Sequence, residues 1–134
     1  MKISIDDQKS ISAIQEEFNN VFPYLKLEFF SRMHESEHGS PKRFLKKNTL
    51  LLGEFRTDHT SGEAELLPDM KVSEVEDLFK TAFGLAVQVF RKSGKSWLET
   101  VYTDSWTLRE QNKEGEELSK GIEPEKPADY NDRD

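Results

Sequence analysis

No cysteine occurs among the 134 residues, which excludes disulfide bonds, cysteine-ligated zinc and thiol catalysis. The chain also lacks long apolar runs. No stretch approaches a membrane span, and the opening segment MKISIDDQKS does not have the apolar core of a signal peptide. The formal charge of −7 argues against a general nucleic-acid binder, which needs a basic face. We therefore expect a cytoplasmic protein that does not enter a membrane.

Apolar and charged residues each make up 34 % of the chain, so few residues are available for a core. Nine Phe, two Trp and three Tyr supply it, because each aromatic side chain buries a large area. The length suits one ordinary domain. The last segment, SKGIEPEKPADYNDRD, is charged and has little to bury. We predict one domain over residues 1–118 and a disordered acidic tail over 119–134.

A helical phrase occurs twice: SISAIQEEFNNVFP at residues 10–23 returns as KVSEVEDLFKTAFG at residues 71–84, 61 positions later. Each copy contains the serine and the Gln or Glu of a capping box. The predicted capping pairs are Ser12 with Gln15 and Ser73 with Glu76. Each copy then has apolar residues spaced i, i+4, i+7 and i+8, which share one helix face. These are Ile14, Phe18, Val21 and Phe22 in the first copy, and Val75, Phe79, Ala82 and Phe83 in the second.

A weaker sequence similarity lies downstream of each helix. LLGEF at residues 51–55 resembles TLREQ at residues 107–111, with an offset of 56 instead of 61. The repeated helix and this downstream similarity together predict a duplicated β-α-β unit that occupies about residues 1–62 and 63–118. Neither unit can bury its helical stripe alone, so we expect the two to share one core.

Short strands surround the repeated helices. Alternating patterns predict strands over residues 2–5, 24–30 and 63–67, and a hairpin over residues 85–102 that turns at Ser93-Gly94-Lys95. A short third helix is predicted over residues 104–115, capped by Asp104 or Ser105 and ended by Gly115. The expected fold class is α+β: a single mixed or antiparallel sheet of about five strands, with the two amphipathic helices on one face.

One metal motif is present as a string. HESEH at residues 34–38 satisfies H-E-x-x-H, in which two His on a helix ligate zinc and the Glu activates water. The residues concerned are His34, Glu35 and His38, and a third ligand would have to come from Glu54, Asp58 or His59. The segment has no helical apolar face and runs into Gly39-Ser40-Pro41, so the sequence favours a loop over a zinc site.

Two other groups are candidate ligand-binding residues. Lys42, Arg43, Lys46 and Lys47 form a basic run that could hold a phosphate-bearing ligand or an acidic partner. Trp97 and Trp106 are of interest because exposed aromatic residues mark binding surfaces. For each group the structural alternative, a solvated segment or a core residue, is also open. No catalytic group and no cofactor is predicted from the sequence.

Three segments resemble a family of small bacterial proteins for which no function is established. They are FPYLKLEFF, MKVSEVEDLF and GLAVQVFRKSGKSWLETVYTDSWTLREQN. The resemblance spans residues 1–118 and implies a bacterial cytoplasmic protein, with no activity or site residues. We expect a non-enzymatic binding or adaptor module that contacts another protein or self-associates through a sheet edge. The alternatives are a small metal-dependent hydrolase using HESEH and a phosphate- or nucleic-acid-associated regulator using the basic run.

Overall fold

The structure is a computed structural model that describes residues 1–31 and 45–120. Within these ranges it has three α-helices and five β-strands, together with two single 3-10 turns at Leu52–Glu54 and Val101–Thr103. In chain order the elements are β1 (Lys2–Ile5), α1 (Ile11–Val21), β2 (Leu25–Phe30), β3 (Gly62–Glu65), α2 (Val72–Phe83), β4 (Ala86–Ser93), β5 (Ser96–Glu99) and α3 (Leu108–Leu118). None of the described helices is long and apolar enough to cross a membrane.

The strands form two antiparallel sheets. One contains β1 and β3, and the other has the order β2-β4-β5. The prediction of an α+β fold is confirmed, but the prediction of one five-stranded sheet is wrong. The physical reason is that the first strands of the two units, β1 and β3, pair with each other, and so do the second strands, β2 and β4. Hydrophobic alternation identifies strands but carries no information about which strands pair.

The two long helices begin two residues earlier than the predicted capping boxes. Ser10 is the N-cap of α1, where its Oγ accepts from the amide of Ala13 at 3.1 Å. Lys71 is the N-cap of α2, and its amide donates to the Glu74 carboxylate at 2.8 Å. The predicted caps Ser12 and Ser73 are therefore wrong.

The predicted partners of those caps have another function. Gln15 on α1 donates from Nε2 to the carbonyl of Leu27 at 2.7 Å, so it satisfies a backbone group of β2. Its counterpart Glu76 on α2 accepts from the amide of Val89 on β4 at 3.3 Å and from Nε2 of Gln88 at 3.0 Å. Each helix is thus joined to the strand that follows it by one polar side chain in the same position of the repeat.

The backbone hydrogen bonds follow the two sequence offsets. Each of four backbone hydrogen bonds in the first unit has an equivalent in the second. In every pair, the residue near the start of the helix is shifted by 61 positions and its partner by 56. The four matched pairs are Ile11→Leu50 with Val72→Trp106, Ser12→Asn48 with Ser73→Asp104, Leu52→Lys9 with Leu108→Met70, and Gly53→Asp7 with Arg109→Pro68. An approximate twofold axis therefore relates the two halves of the chain.

The core lies between the helices and the two sheets. It takes in alternate residues of β2 (Leu25, Leu27 and Phe29) and the helical stripes of both copies. One predicted stripe residue is an exception, because Val21 is 48 % exposed at the end of α1. The opposite face of the three-stranded sheet carries a smaller cluster, composed of Phe30, Ala86, Phe90 and Trp97 with Leu45 packed against it.

The third helix runs further along the chain than expected. Thr107 is its N-cap, and its Oγ1 accepts from the amide of Glu110 at 3.1 Å, which replaces the predicted caps Asp104 and Ser105. Gly115 does not end the helix. It lies inside α3, where a Cβ atom would come within 2.8 Å of the Tyr24 side chain, so this glycine lets α3 approach the start of β2.

Candidate functional site

Several predicted site residues lie outside the described residues. These are His34, Glu35 and His38 of the HESEH segment, and Lys42 and Arg43 of the basic run. The other two basic residues are described: Lys46 donates its backbone amide to the carbonyl of Phe29 at 2.8 Å, and Lys47 is exposed. The backbone of Lys46 therefore continues the hydrogen bonding along the outer edge of β2. The ligand site predicted for the basic run stays a prediction.

Trp97 is buried in the smaller cluster and is 3 % exposed. The ammonium groups of Lys26 and Lys92 lie 5.0 and 5.2 Å from the centroid of its ring, distances at which a cation is attracted to the aromatic face. This environment is that of a packed core residue with amphipathic neighbours. Of the two tryptophans predicted as binding residues, Trp97 is the one whose ring is enclosed.

Trp106 lies at the surface together with two other large apolar side chains. Trp106 is 36 % exposed, Leu98 43 % and Tyr102 84 %. All three lie within nine consecutive residues, on β5, on the 3-10 turn Val101–Thr103 and just before α3. We name Leu98, Tyr102 and Trp106, together with the neighbouring Arg91, the Arg91 patch. Trp, Tyr and Arg are the residue types that most often dominate the binding energy of protein interfaces.

Arg91 holds the patch together. It lies directly opposite Leu98 in the pairing of β4 with β5, so the two side chains are neighbours on one sheet face. Its guanidinium carbon is 5.8 Å from the centroid of the Trp106 ring, which is a cation–π contact. Within residues 1–31 and 45–120, no carboxylate lies within ion-pair distance of Arg91. The patch thus combines an apolar surface with an uncompensated positive charge.

A fully buried glutamine fixes the positions of these groups. Gln111 on α3 accepts from Nη1 of Arg91 at 2.9 Å through its Oε1. Its Nε2 donates to the carbonyl and the hydroxyl of Thr103 at 2.7 and 2.8 Å. One side chain therefore ties the guanidinium to the 3-10 turn that carries Tyr102. Buried amides with both ends hydrogen-bonded are rigid, so the patch is preorganised.

The repeat indicates that the architecture does not require an exposed aromatic side chain at the position of Trp106. Leu50 and Trp106 are equivalent positions, since each accepts the first amide of a repeated helix through its carbonyl. Leu50 packs against the main core, whereas the Trp106 ring is partly exposed. A comparison of the two copies in the sequence could have singled out Trp106 on this ground. Arg91, Leu98 and Tyr102 were missed, because only the pairing of β4 with β5 brings Arg91 beside Leu98.

A second polar cluster joins the two halves of the chain. Asp7 accepts a hydrogen bond from Nε of Arg56 at 3.0 Å, and Nη2 of the same guanidinium lies 2.9 Å from that oxygen as an ion pair. The other carboxylate oxygen of Asp7 lies 2.7 Å from Nδ1 of His59. Arg56 is buried and also donates to the carbonyl of Phe83 at the end of α2. Burial alone would raise the pKa of Asp7, but the hydrogen bonds from Arg56 and His59 and their charges outweigh it, so the pKa is lowered.

The neighbouring Asp58 is held by a local turn. The side-chain and backbone hydrogen bonds from Thr60 lower the pKa of Asp58 below its usual range. Glu54 accepts from the amide of Leu51 at 2.6 Å. The three residues considered as a third zinc ligand, Glu54, Asp58 and His59, therefore each have a structural partner. In the described part of the chain, no three His, Cys, Asp or Glu side chains form a group that could hold a metal ion.

Comparison with known proteins adds no family assignment. No protein-family model matches the chain, and neither a curated protein nor a solved structure shows significant similarity to it. The choice between candidate sites therefore depends on their geometry alone.

Proposed function

We propose that this protein is a non-enzymatic binding module that recognises another protein through the Arg91 patch. The observation that carries the proposal is the grouping of Leu98, Tyr102 and Trp106, all at least 36 % exposed, around an arginine that is held in place by Gln111. Isolated exposed apolar residues are common on any protein surface and need no explanation. Three of the four residues of the patch, Trp106, Tyr102 and Arg91, are of the types that are enriched in binding hot spots.

The other sheet surfaces support this choice. The outward-facing residues of the β1–β3 sheet are charged or polar and exposed, with Lys2 opposite Glu65 and Ser4 opposite Glu63. Charged side chains along strand edges protect a sheet against pairing with other chains. Self-association through this edge therefore has less support than binding through the patch. The hydrolase and regulator alternatives, which depend on residues 34–43, stay predictions.

Site-specific photocrosslinking tests the proposal. Tyr102 is replaced by p-benzoylphenylalanine, whose excited carbonyl captures C–H bonds of a bound partner, and the full chain is irradiated in cells of its source organism. A control variant carries the same group at Val21, an equally apolar and 48 % exposed position on α1. We expect a discrete adduct from position 102 that is absent from position 21 and is lost on adding Trp106→Ala.

Two results would contradict the proposal. One is an adduct pattern that is the same at positions 102 and 21, because this would indicate chance collisions. The other is a specific adduct at position 102 that survives Trp106→Ala together with Leu98→Ala. Both substitutions remove partly exposed side chains, so the fold is expected to persist, and a urea unfolding curve of each variant verifies this.

A further inference from the structure

The charge of the patch identifies the chemistry of what binds there. The chain as a whole has a formal charge of −7, but residues 91–106, which contain every residue of the patch, have three basic residues and two acidic ones. The segment that forms the patch is therefore locally positive in an acidic protein. Complementary charge steers association and disfavours partners of the wrong sign. A partner surface that fits this segment carries carboxylates.

The guanidinium of Arg91 is placed to receive such a group. Its Nη1 is engaged by Gln111, whereas its buried Nε has no hydrogen-bond acceptor. Nη2 makes no hydrogen bond to any atom of the described residues and is not enclosed. An arginine that lies against an aromatic ring and lacks a carboxylate is only partly satisfied. A carboxylate that reaches Nη2 would complete its charge and its hydrogen bonding.

We propose that the occupant of the Arg91 patch is an acidic segment of a partner protein, with a carboxylate on Arg91 and an adjacent apolar or aromatic side chain against Trp106 and Leu98. This deepens the proposed function and rests on it. Gln111 acts as a positioning residue: it contacts no ligand, but it orients the guanidinium and the turn that carries Tyr102. The geometry favours a peptide over a free anion because two partly exposed apolar side chains lie beside the guanidinium: Leu98 is opposite Arg91 in the strand pairing, and the Trp106 ring is 5.8 Å from it.

Fluorescence titration of the full chain with synthetic copolymers tests the proposal directly. The probes are fluorescein-labelled poly(Glu,Tyr), poly(Gln,Tyr) and poly(Lys,Tyr) of equal length and tyrosine content. We expect saturable binding of poly(Glu,Tyr) and at least about tenfold weaker binding of poly(Gln,Tyr), since the neutral amide loses the charge-assisted hydrogen bond to Arg91. The net charge of −7 attracts poly(Lys,Tyr) to the rest of the surface, so this probe measures nonspecific binding, which Arg91→Gln should not weaken. The comparison of poly(Glu,Tyr) with poly(Gln,Tyr) uses the natural chain and does not depend on the folding of any variant.

Matched variants then locate the binding. Arg91→Gln should weaken poly(Glu,Tyr) binding at least about tenfold, and Arg91→Lys should restore part of it because the charge is kept without the planar fork. Arg109→Gln is the control, since this exposed arginine is already paired with Asp69 at 2.9 Å and lies outside the patch. We expect the control to bind within about twofold of the natural chain. Gln111→Leu should lower the affinity for poly(Glu,Tyr) while leaving its binding stronger than that of poly(Gln,Tyr).

Several outcomes would overturn the inference. Equal binding of poly(Glu,Tyr) and poly(Gln,Tyr) would show that the negative charge of the probe does not contribute to binding. An unchanged affinity in Arg91→Gln would place the acidic probe elsewhere. Displacement of the copolymer by millimolar inorganic phosphate would indicate an anion site instead of a peptide site. If any of these occurs while the crosslink at position 102 still depends on Trp106, binding through the patch stands and the acidic occupant alone is rejected.

Discussion

Ile3 lies directly opposite Ala64 in the two-stranded sheet, and the two residues are also 61 positions apart in the chain. They are therefore both pairing partners and equivalents in the repeat. In the other sheet Leu27 pairs with Val89 and Glu28 with Gln88, so the repeat equivalent of each residue lies in the neighbouring pair instead of directly opposite. The approximate twofold axis passes through both sheets, so the two units meet along strands that neither could pair alone.

A residue swap across this axis tests the relationship. Both side chains are fully buried in the main core. Ile3→Ala should cost about 2–4 kcal/mol through the cavity it leaves, and Ala64→Ile about 1–3 kcal/mol through overpacking. The double variant conserves the volume of the pair, so it should be more stable than the sum of the two costs predicts by at least about 1 kcal/mol. Urea denaturation of the four proteins measures the coupling, and simple additivity would show that the two side chains do not share space.

The position of the α1 cap is tested by two serines of the same segment. Ser10→Ala should lower the free energy of unfolding by about 1 kcal/mol, because the amide of Ala13 loses its acceptor. Ser12→Ala should cost no more than about 0.5 kcal/mol, since its hydroxyl contacts Ser10 at 3.2 Å and caps no amide. Chemical denaturation compares the two. A larger effect from Ser12 would restore the capping box inferred from the sequence.

The sequence predicted local features better than long-range ones. The two helices were predicted from capping and periodicity, which act within a few residues, and the repeat offsets of 61 and 56 reappear in the hydrogen bonds. The helix starts were wrong by two residues because in each copy a serine, Ser12 or Ser73, lies two residues after the true N-cap. Propensity cannot separate neighbouring polar residues that could each cap a helix.

The division into two sheets and the candidate site could not be predicted for a common reason. Both depend on which strands pair, and pairing is decided by contacts between residues distant in the sequence. Val21 shows the limit on a smaller scale: it shares the apolar spacing of Phe18 and Phe22, which are buried, yet Val21 itself is 48 % exposed. Trp106 was singled out by its residue type, but its contact with Arg91 arises from the fold.

Alanine substitutions at two glycines of the same backbone conformation are expected to differ in their cost to stability. Gly84 ends α2 with φ of 64° and Gly94 forms the β4–β5 turn with φ of 60°, so alanine is strained at both. Gly94→Ala should cost about 1–2 kcal/mol, since nothing lies within 4 Å of the added Cβ. Gly84→Ala should cost more, about 3 kcal/mol, because its Cβ would lie 2.5 Å from the Cβ of Asp58. Thermal or urea unfolding distinguishes them, and equal costs would show that the Asp58 loop moves freely.

The link between Asp7, Arg56 and His59 predicts how stability changes at low pH. The pKa of Asp7 in the folded chain lies below its ordinary value of 3.8, because the hydrogen bonds from Arg56 and His59 outweigh the effect of burial. A depressed folded-state pKa stabilises the fold at pH values above the unfolded pKa, and this contribution is lost as the pH falls through the folded pKa. Asp7→Asn should therefore lower the Tm at neutral pH, and the difference from the natural chain should shrink below about pH 4.

Calorimetry between about pH 3 and pH 7 measures this difference, since many carboxylates titrate in that range and only the gap between the two proteins isolates Asp7. Asp69→Asn is the control for the change in net charge, because Asp69 forms an exposed ion pair with Arg109 and such pairs contribute little. A Tm gap for Asp7→Asn that stays constant down to pH 3 would mean that the carboxylate acts through packing alone. A gap that closes in that range would mean that its charge holds the segment with Arg56 and His59 against the chain that follows β1.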